Sequence, residues 1–242
     1  MNRRTVSTAL PRPQRAPVRT AEADDFSAVE ILGDSARAWL TQLPAYGGIA
    51  LLLHAPLLGV AFLPPLPAGA AAAILVVGEM FVALLIKAAL TKAVSEARRG
   101  LSSDFLELVE ALKKAPAVLL VGARILARAF VRSFLLLLPG LQYLADMFAA
   151  VPVIVLEGGS TSNALRRSQK LTGGVRGPVF AICILIWSVS LALTLMSGLH
   201  NARSVVSTTW MIVYLCTRAL DTSFAAVLSA TTYHQLSERP DV

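Results

Sequence analysis

A chain of 242 residues could hold one or two soluble domains, but 55% of its residues are hydrophobic and only 15% are charged. The charges cluster between long apolar runs, several of them near the roughly 20 residues needed to cross about 30 Å of hydrocarbon, which argues against a soluble protein. The net charge of +7 fits positive loops beside membrane helices, and nucleic acid is not expected as a partner.

Residues 1–25 place Pro11, Pro13 and Pro17 among five arginines, ahead of Glu22, Asp24 and Asp25. So few apolar side chains cannot offset the entropy of ordering, and a disordered tail is expected. Its basic half suits anionic headgroups. The first apolar run starts near Ala45, too late for a secretory signal.

Ser27-x-x-Glu30 is a capping box, and Phe26 and Ile31 stand at hydrophobic-staple positions. Leu32, Ala36, Trp39, Leu40 and Leu43 follow at helical spacing, so an interfacial helix is expected from Ser27 to about Gln42, with Trp39 at the membrane interface. A first crossing follows over about 44–62, then an outer turn at Pro64, Pro65 and Pro67, then a second crossing over 68–91. A second amphipathic helix is predicted from Ser103 to about Lys114, with Phe105, Leu108, Val109 and Leu112 on one face.

The third crossing, 116–138, ends at Pro139-Gly140, which is expected to turn the chain into a short fourth, 141–156. A third amphipathic helix, Ser160 to Thr172, turns Leu165 and Leu171 inward and leaves Arg166, Arg167 and Lys170 available for a lipid phosphate. Glu157 is the expected partner of Arg167. Gly173-Gly174 reads as a helix C-cap. The fifth and sixth crossings cover 175–199 and 205–233. Cys183 and Cys216 read as two small apolar side chains without a CxxC pattern.

Lys and Arg fix the orientation. The arginine-rich tail, the connection holding Lys92, Arg98, Arg99, Lys113 and Lys114, and the one holding Arg166, Arg167, Lys170 and Arg176 fall on one side; the outer loops hold Arg203 alone. The expectation is an all-α integral membrane protein. It has six transmembrane helices (domain 26–236), about three cytoplasmic-side amphipathic interfacial helices, a short 237–242 tail and both termini in the cytoplasm.

Arg124, Arg128 and Arg132 recur every fourth residue and so form one stripe on the third crossing. A charge at the bilayer centre costs about 2.5–3.5 kcal/mol on insertion scales, so the stripe should face partners or a wet cavity. Glu79 is expected level with Arg128, and Asp146 nearer Arg132. Arg218 and Asp221 share one face of the sixth crossing. Four arginines against three acids leave an excess positive charge. Two readings stay open: ion pairs that fix helix register, and a cavity for an anion or lipid headgroup.

The residues Pro139, Gly140, Pro152, Glu157, Ala164, Leu165, Arg167, Ser168, Leu171, Thr172 and Gly174 form a "PG", "P-x-x-x-x-E", "A-L-x-R-S-x-x-L-T-x-G" pattern. It resembles a group of bacterial six-helix membrane proteins that includes the membrane domain ahead of some glycerophosphodiester phosphodiesterases and the YciC-like proteins. The resemblance covers about residues 135–177 and implies a fold and a cytoplasmic-membrane location more than an activity. Asp146 departs from the group, where a basic or neutral residue is common. The phosphodiesterase catalytic domain is absent.

There is no GxSxG, HExxH, GxxxxGK[ST] or GxGxxG, and His54, His200 and His234 are far apart. No enzymatic activity, cofactor or metal is expected. The leading expectation is a non-enzymatic protein of membrane or envelope organisation that binds anionic lipid. A transporter for an anionic solute or lipid that uses the arginine stripe is the alternative, and an anchor for a separate enzyme is the third. A protein partner in the membrane or envelope is left open.

Overall fold

The computed structural model describes residues 26–62, 68–100, 112–135, 137–201 and 208–239. The tail 1–25, most of the predicted second amphipathic helix, the outer turns and Arg203 lie outside them. The elements in order are α1 (Ala28–Thr41), α2 (Leu43–His54, continued as a 3-10 helix over Ala55–Phe62), α3 (Ala68–Arg98), α4 (Ala115–Leu135), α5 (Leu137–Asp146), α6 (Ala150–Leu156), α7 (Thr161–Thr172), α8 (Arg176–Asn201) and α9 (Thr208–Ser237). Among the described residues there is no strand.

Four segments are long and apolar enough to cross a membrane: Ala73–Arg98, Leu138–Leu156, Arg176–Met196 and Thr209–Ser237. They correspond to the expected second, fourth, fifth and sixth crossings. Their outer faces keep Val76, Phe81, Leu191, Leu195, Ile212 and Val213 exposed, more apolar surface than a water-soluble monomer usually shows. The expected first crossing is different. Pro56 lacks an N–H and its ring crowds the carbonyl four residues back, so the α ladder ends at His54 and the chain tightens to 3-10; the apolar helix Leu43–Gly59 is shorter. The expected third crossing, α4, is 21 residues long, but its three arginines leave it outside the four.

The interior is built on α3 and α9. Ala89, Ala93, Ala219, Ala226 and Ala230 are buried in one cluster, and small side chains let two helices approach closely. Ser27 caps α1 as expected, its Oγ accepting the Glu30 N–H at 3.4 Å, and Phe26 and Ile31 are both buried in one core cluster. Trp39 is not a free interface anchor. Its indole N–H donates to Ser223 Oγ at 2.9 Å and its ring meets Phe224 edge-on at 5.7 Å, which fastens α1 along α9.

α4 ends at Leu135 and α5, packed against it, begins at Leu137, so the expected change of helix falls just before Pro139-Gly140. Both lie in the first turn of α5, where a missing N–H costs no intrahelical bond. Gly140 serves contact: a Cβ there would run into the Ser133 side chain and come within 3.1 Å of the Ala129 carbonyl, so glycine lets α5 lie against α4. A further break, not expected from the sequence, is at Met147–Ala149, between α5 and α6. Its freed carbonyls are satisfied from other helices. Asp146 O accepts from Ser168 Oγ at 2.8 Å and Thr172 Oγ1 at 3.3 Å. Phe148 O accepts from Lys87 Nζ and Ser229 Oγ, each at 3.1 Å.

α7 follows its predicted bounds. Ser160 Oγ caps it at Asn163 N, 3.3 Å, and Leu165 and Leu171 are buried. Gly173 is the C-cap, as expected, and it is right-handed (φ −55°). The left-handed glycines stand at the other end, Gly158 (φ 75°) and Gly159 (φ 88°), where the chain reverses from α6 into α7.

Candidate lipid-headgroup site

The expected intramembrane cluster separates into two groups. The first is internal. Arg218 Nε stands 2.6 Å from Glu79 Oε2, and its Nη1 is 3.1 Å from Asp221 Oδ2. Ser190 Oγ donates to the same Asp221 oxygen at 2.6 Å. This network ties α3, α8 and α9 together. All three charged side chains are at most 13% exposed, so each charge is both paired and hydrogen-bonded, as burial demands.

The second group is at the surface. Arg124, Arg128 and Arg132 are all exposed, and among the described residues none of them pairs with Glu79, Asp146 or Asp221. The expected pairing of the stripe with these acids is therefore corrected. Three guanidiniums against a core whose acids are already engaged would be left uncompensated, and the helix instead turns them outward. Asp146 pairs with Arg176 at 3.3 Å rather than with Arg132. Arg132 lies over the Tyr143 ring, 4.0 Å from its centroid, a cation–π contact.

Arg124 and Arg128 meet α7. Together with Arg166, Ser162 and Gln169, and with Met147 and Leu165 at the base, they line an open pocket of about 330 Å³. Three guanidiniums line it, and among the described residues no carboxylate does. Arg166 is steadied by its Nη2, which donates to Asn163 Oδ1 at 2.6 Å. Two sequence features read apart, the α4 stripe and the basic face of α7, thus converge on one concavity. By helical spacing, exposed Val131 falls on the arginine face of α4, whereas Leu126 and Phe130 fall on other faces.

The other two expected headgroup residues stand elsewhere. Arg167 is turned to Glu157, Nε to Oε1 at 3.4 Å, as expected. Glu157 Oε1 also accepts from Tyr233 OH at 2.9 Å, so this carboxylate joins α7 to α9. Lys170 is exposed and does not line the three-arginine pocket.

Lys87 was missed from the sequence. It sits inside the second apolar run, and a single lysine there gives no periodic signal. In the fold its Nζ donates to Phe148 O and lies 4.7 Å from the Phe148 ring centroid. Counting Lys87 with Arg218 against Glu79 and Asp221, the interior group is formally neutral, and the excess positive charge belongs to the surface.

Compared with protein-family models, with curated proteins and with solved structures, the chain matches none of them.

Proposed function

We propose that the chain is a non-enzymatic, multi-pass protein of the bacterial cytoplasmic membrane that binds anionic lipid through the Arg124–Arg128–Arg166 pocket. The six-crossing arrangement with both termini in the cytoplasm goes with this reading. α2 with its 3-10 continuation is then the first crossing and α4 the third. Arg124 and Arg128 stand level with α7, so long side chains can reach the inner headgroup layer along their own aliphatic stems. The observation that carries the reading is the convergence of three guanidiniums on one concavity, with no carboxylate among its described lining residues. An anionic lipid phosphate supplies the opposite charge. Each basic side chain near the surface contributes about 1 kcal/mol, so three give on the order of 3 kcal/mol, roughly a hundredfold preference for anionic over zwitterionic lipid.

The test is native mass spectrometry of the full chain from mixed micelles holding equal phosphatidylglycerol and phosphatidylcholine. Retained lipid should be mostly phosphatidylglycerol, and Arg124→Ala/Arg128→Ala/Arg166→Ala should return it to the micelle ratio, while Lys170→Ala leaves it enriched. A folded triple variant that retains phosphatidylglycerol like the parent would overturn the reading.

A further inference from the structure

A second concavity lies inside the bundle, and Met147 borders both it and the arginine pocket. It is a cleft of about 360 Å³ bordered by α3, α4, the α5–α6 break, α8 and α9. Its walls are mainly apolar, with Leu84, Ile125, Leu126 and Trp187 among them. Met80 and Leu126, each 39% exposed, mark a lateral mouth beside exposed Phe81 on the apolar flank of α3. Anything entering there comes from the hydrocarbon layer.

The polar groups of the cleft differ in what they lack. Arg218 already holds two carboxylates, and Asp221 accepts from Arg218 and Ser190. Both Arg218 partners are carboxylates, and Asp221 would repel an anion at that end. Lys87 also lines the cleft. An ammonium has three donors, and the Phe148 carbonyl takes one. Among the described residues no carboxylate pairs with Lys87. A cation held between apolar helices without a counter-ion is costly, and an anionic group entering the cleft supplies one. The volume is at the lower end for small-molecule sites, which suits one chain and not two.

We propose that this cleft binds a single-chain anionic amphiphile of the fatty-acid class. The carboxylate sits at Lys87, and the chain runs past Leu84, Ile125 and Leu126 to the lateral mouth. The site is independent of the headgroup pocket and can fail or stand without it.

Trp187, in the cleft wall, is the reporter. The experiment uses the full chain in detergent, with Trp39→Phe and Trp210→Phe to leave one indole. It is titrated with a dibrominated C18 fatty acid and with its uncharged methyl ester. Saturable quenching by the acid is expected, with at least tenfold weaker half-saturation for the ester. Lys87→Gln should weaken the acid about tenfold and leave the ester unchanged, Lys87→Arg should restore the acid, and Arg128→Ala should alter neither. Because Lys87 also supports Phe148, Ala225→Met is the second variant: it fills the cleft without touching that contact and should abolish saturable quenching. Equal quenching by acid and ester, non-saturable quenching, or an Ala225→Met protein that quenches like the parent would each overturn the proposal.

Discussion

Arg218 and Glu79 meet through an Nε–Oε2 contact of 2.6 Å across 139 positions of chain, joining the last long helix to the first. Removing one member of a buried pair leaves the other uncompensated, which costs about 3–5 kcal/mol. Arg218→Met should therefore lower thermal stability in detergent strongly, because it strands both Glu79 and Asp221. Glu79→Gln should cost less, since the amide oxygen still accepts from Arg218. The double variant should lose less than the sum of the two, by roughly 0.5–3 kcal/mol. Strictly additive losses would reject the coupling.

The helix contact at Gly140 makes a steric prediction. Gly140→Val should lower stability by about 1–3 kcal/mol through overpacking, and Ser133→Ala should recover part of it, because the Ser133 hydroxyl is the nearest obstacle. A thermal shift of Gly140→Val equal to that of an exposed control would show that α4 and α5 are not so close.

The reversal before α7 separates two kinds of glycine. Gly158→Ala and Gly159→Ala force an L-residue into the left-handed region, at about 1–2 kcal/mol each. Gly173→Ala, at φ −55°, should cost less than either. Denaturation of the three variants side by side checks the order, and a Gly173 variant that ranks worst would contradict it.

The side chain and the backbone carbonyl of Asp146 should behave differently. Arg176, whose side chain is 54% exposed, should tolerate Arg176→Ala with a loss under about 1 kcal/mol, as surface pairs do. Ser168→Ala with Thr172→Val strips both donors from the Asp146 carbonyl and should cost about 1–3 kcal/mol. It should also speed hydrogen exchange in Ala150–Leu156. Unchanged exchange in that segment would show that the donors do not hold the break.

Much of the helix plan could be read from the sequence because its signals are local. The Ser27 and Ser160 caps, the inward Leu165 and Leu171, and the Glu157–Arg167 pair all depend on residues within about ten positions of each other, and all are present. Pro139-Gly140 marked the change of helix to within a few residues, but the pair has two uses. Proline is tolerated in a helix's first turn and glycine permits close packing, and only the position of Ser133 on the neighbouring helix shows which use applies. The arginine stripe was legible as a stripe, but the direction it faces depends on α7 lying beside α4. Asp146 and Arg132 were matched by estimated depth along straight helices, and the break at Met147–Ala149 removes that straightness. Lys87 carried no pattern of its own; its role exists only because the break puts the Phe148 carbonyl within its reach.

The break also bears on the order in which the molecule is assembled. A free carbonyl in hydrocarbon must find a donor within the protein, and for Phe148 one of the two donors, Ser229, is synthesised 81 residues later. Ser168 and Thr172, which serve Asp146, follow by 22 and 26 residues. While translation is under way, the α5–α6 segment thus holds a joint that its own neighbours cannot complete. Its final seating waits on the docking of the carboxyl-terminal helix. A nascent chain arrested before Thr208 should hold the segment in a looser, protease-accessible form, and release of the last helix should lock it.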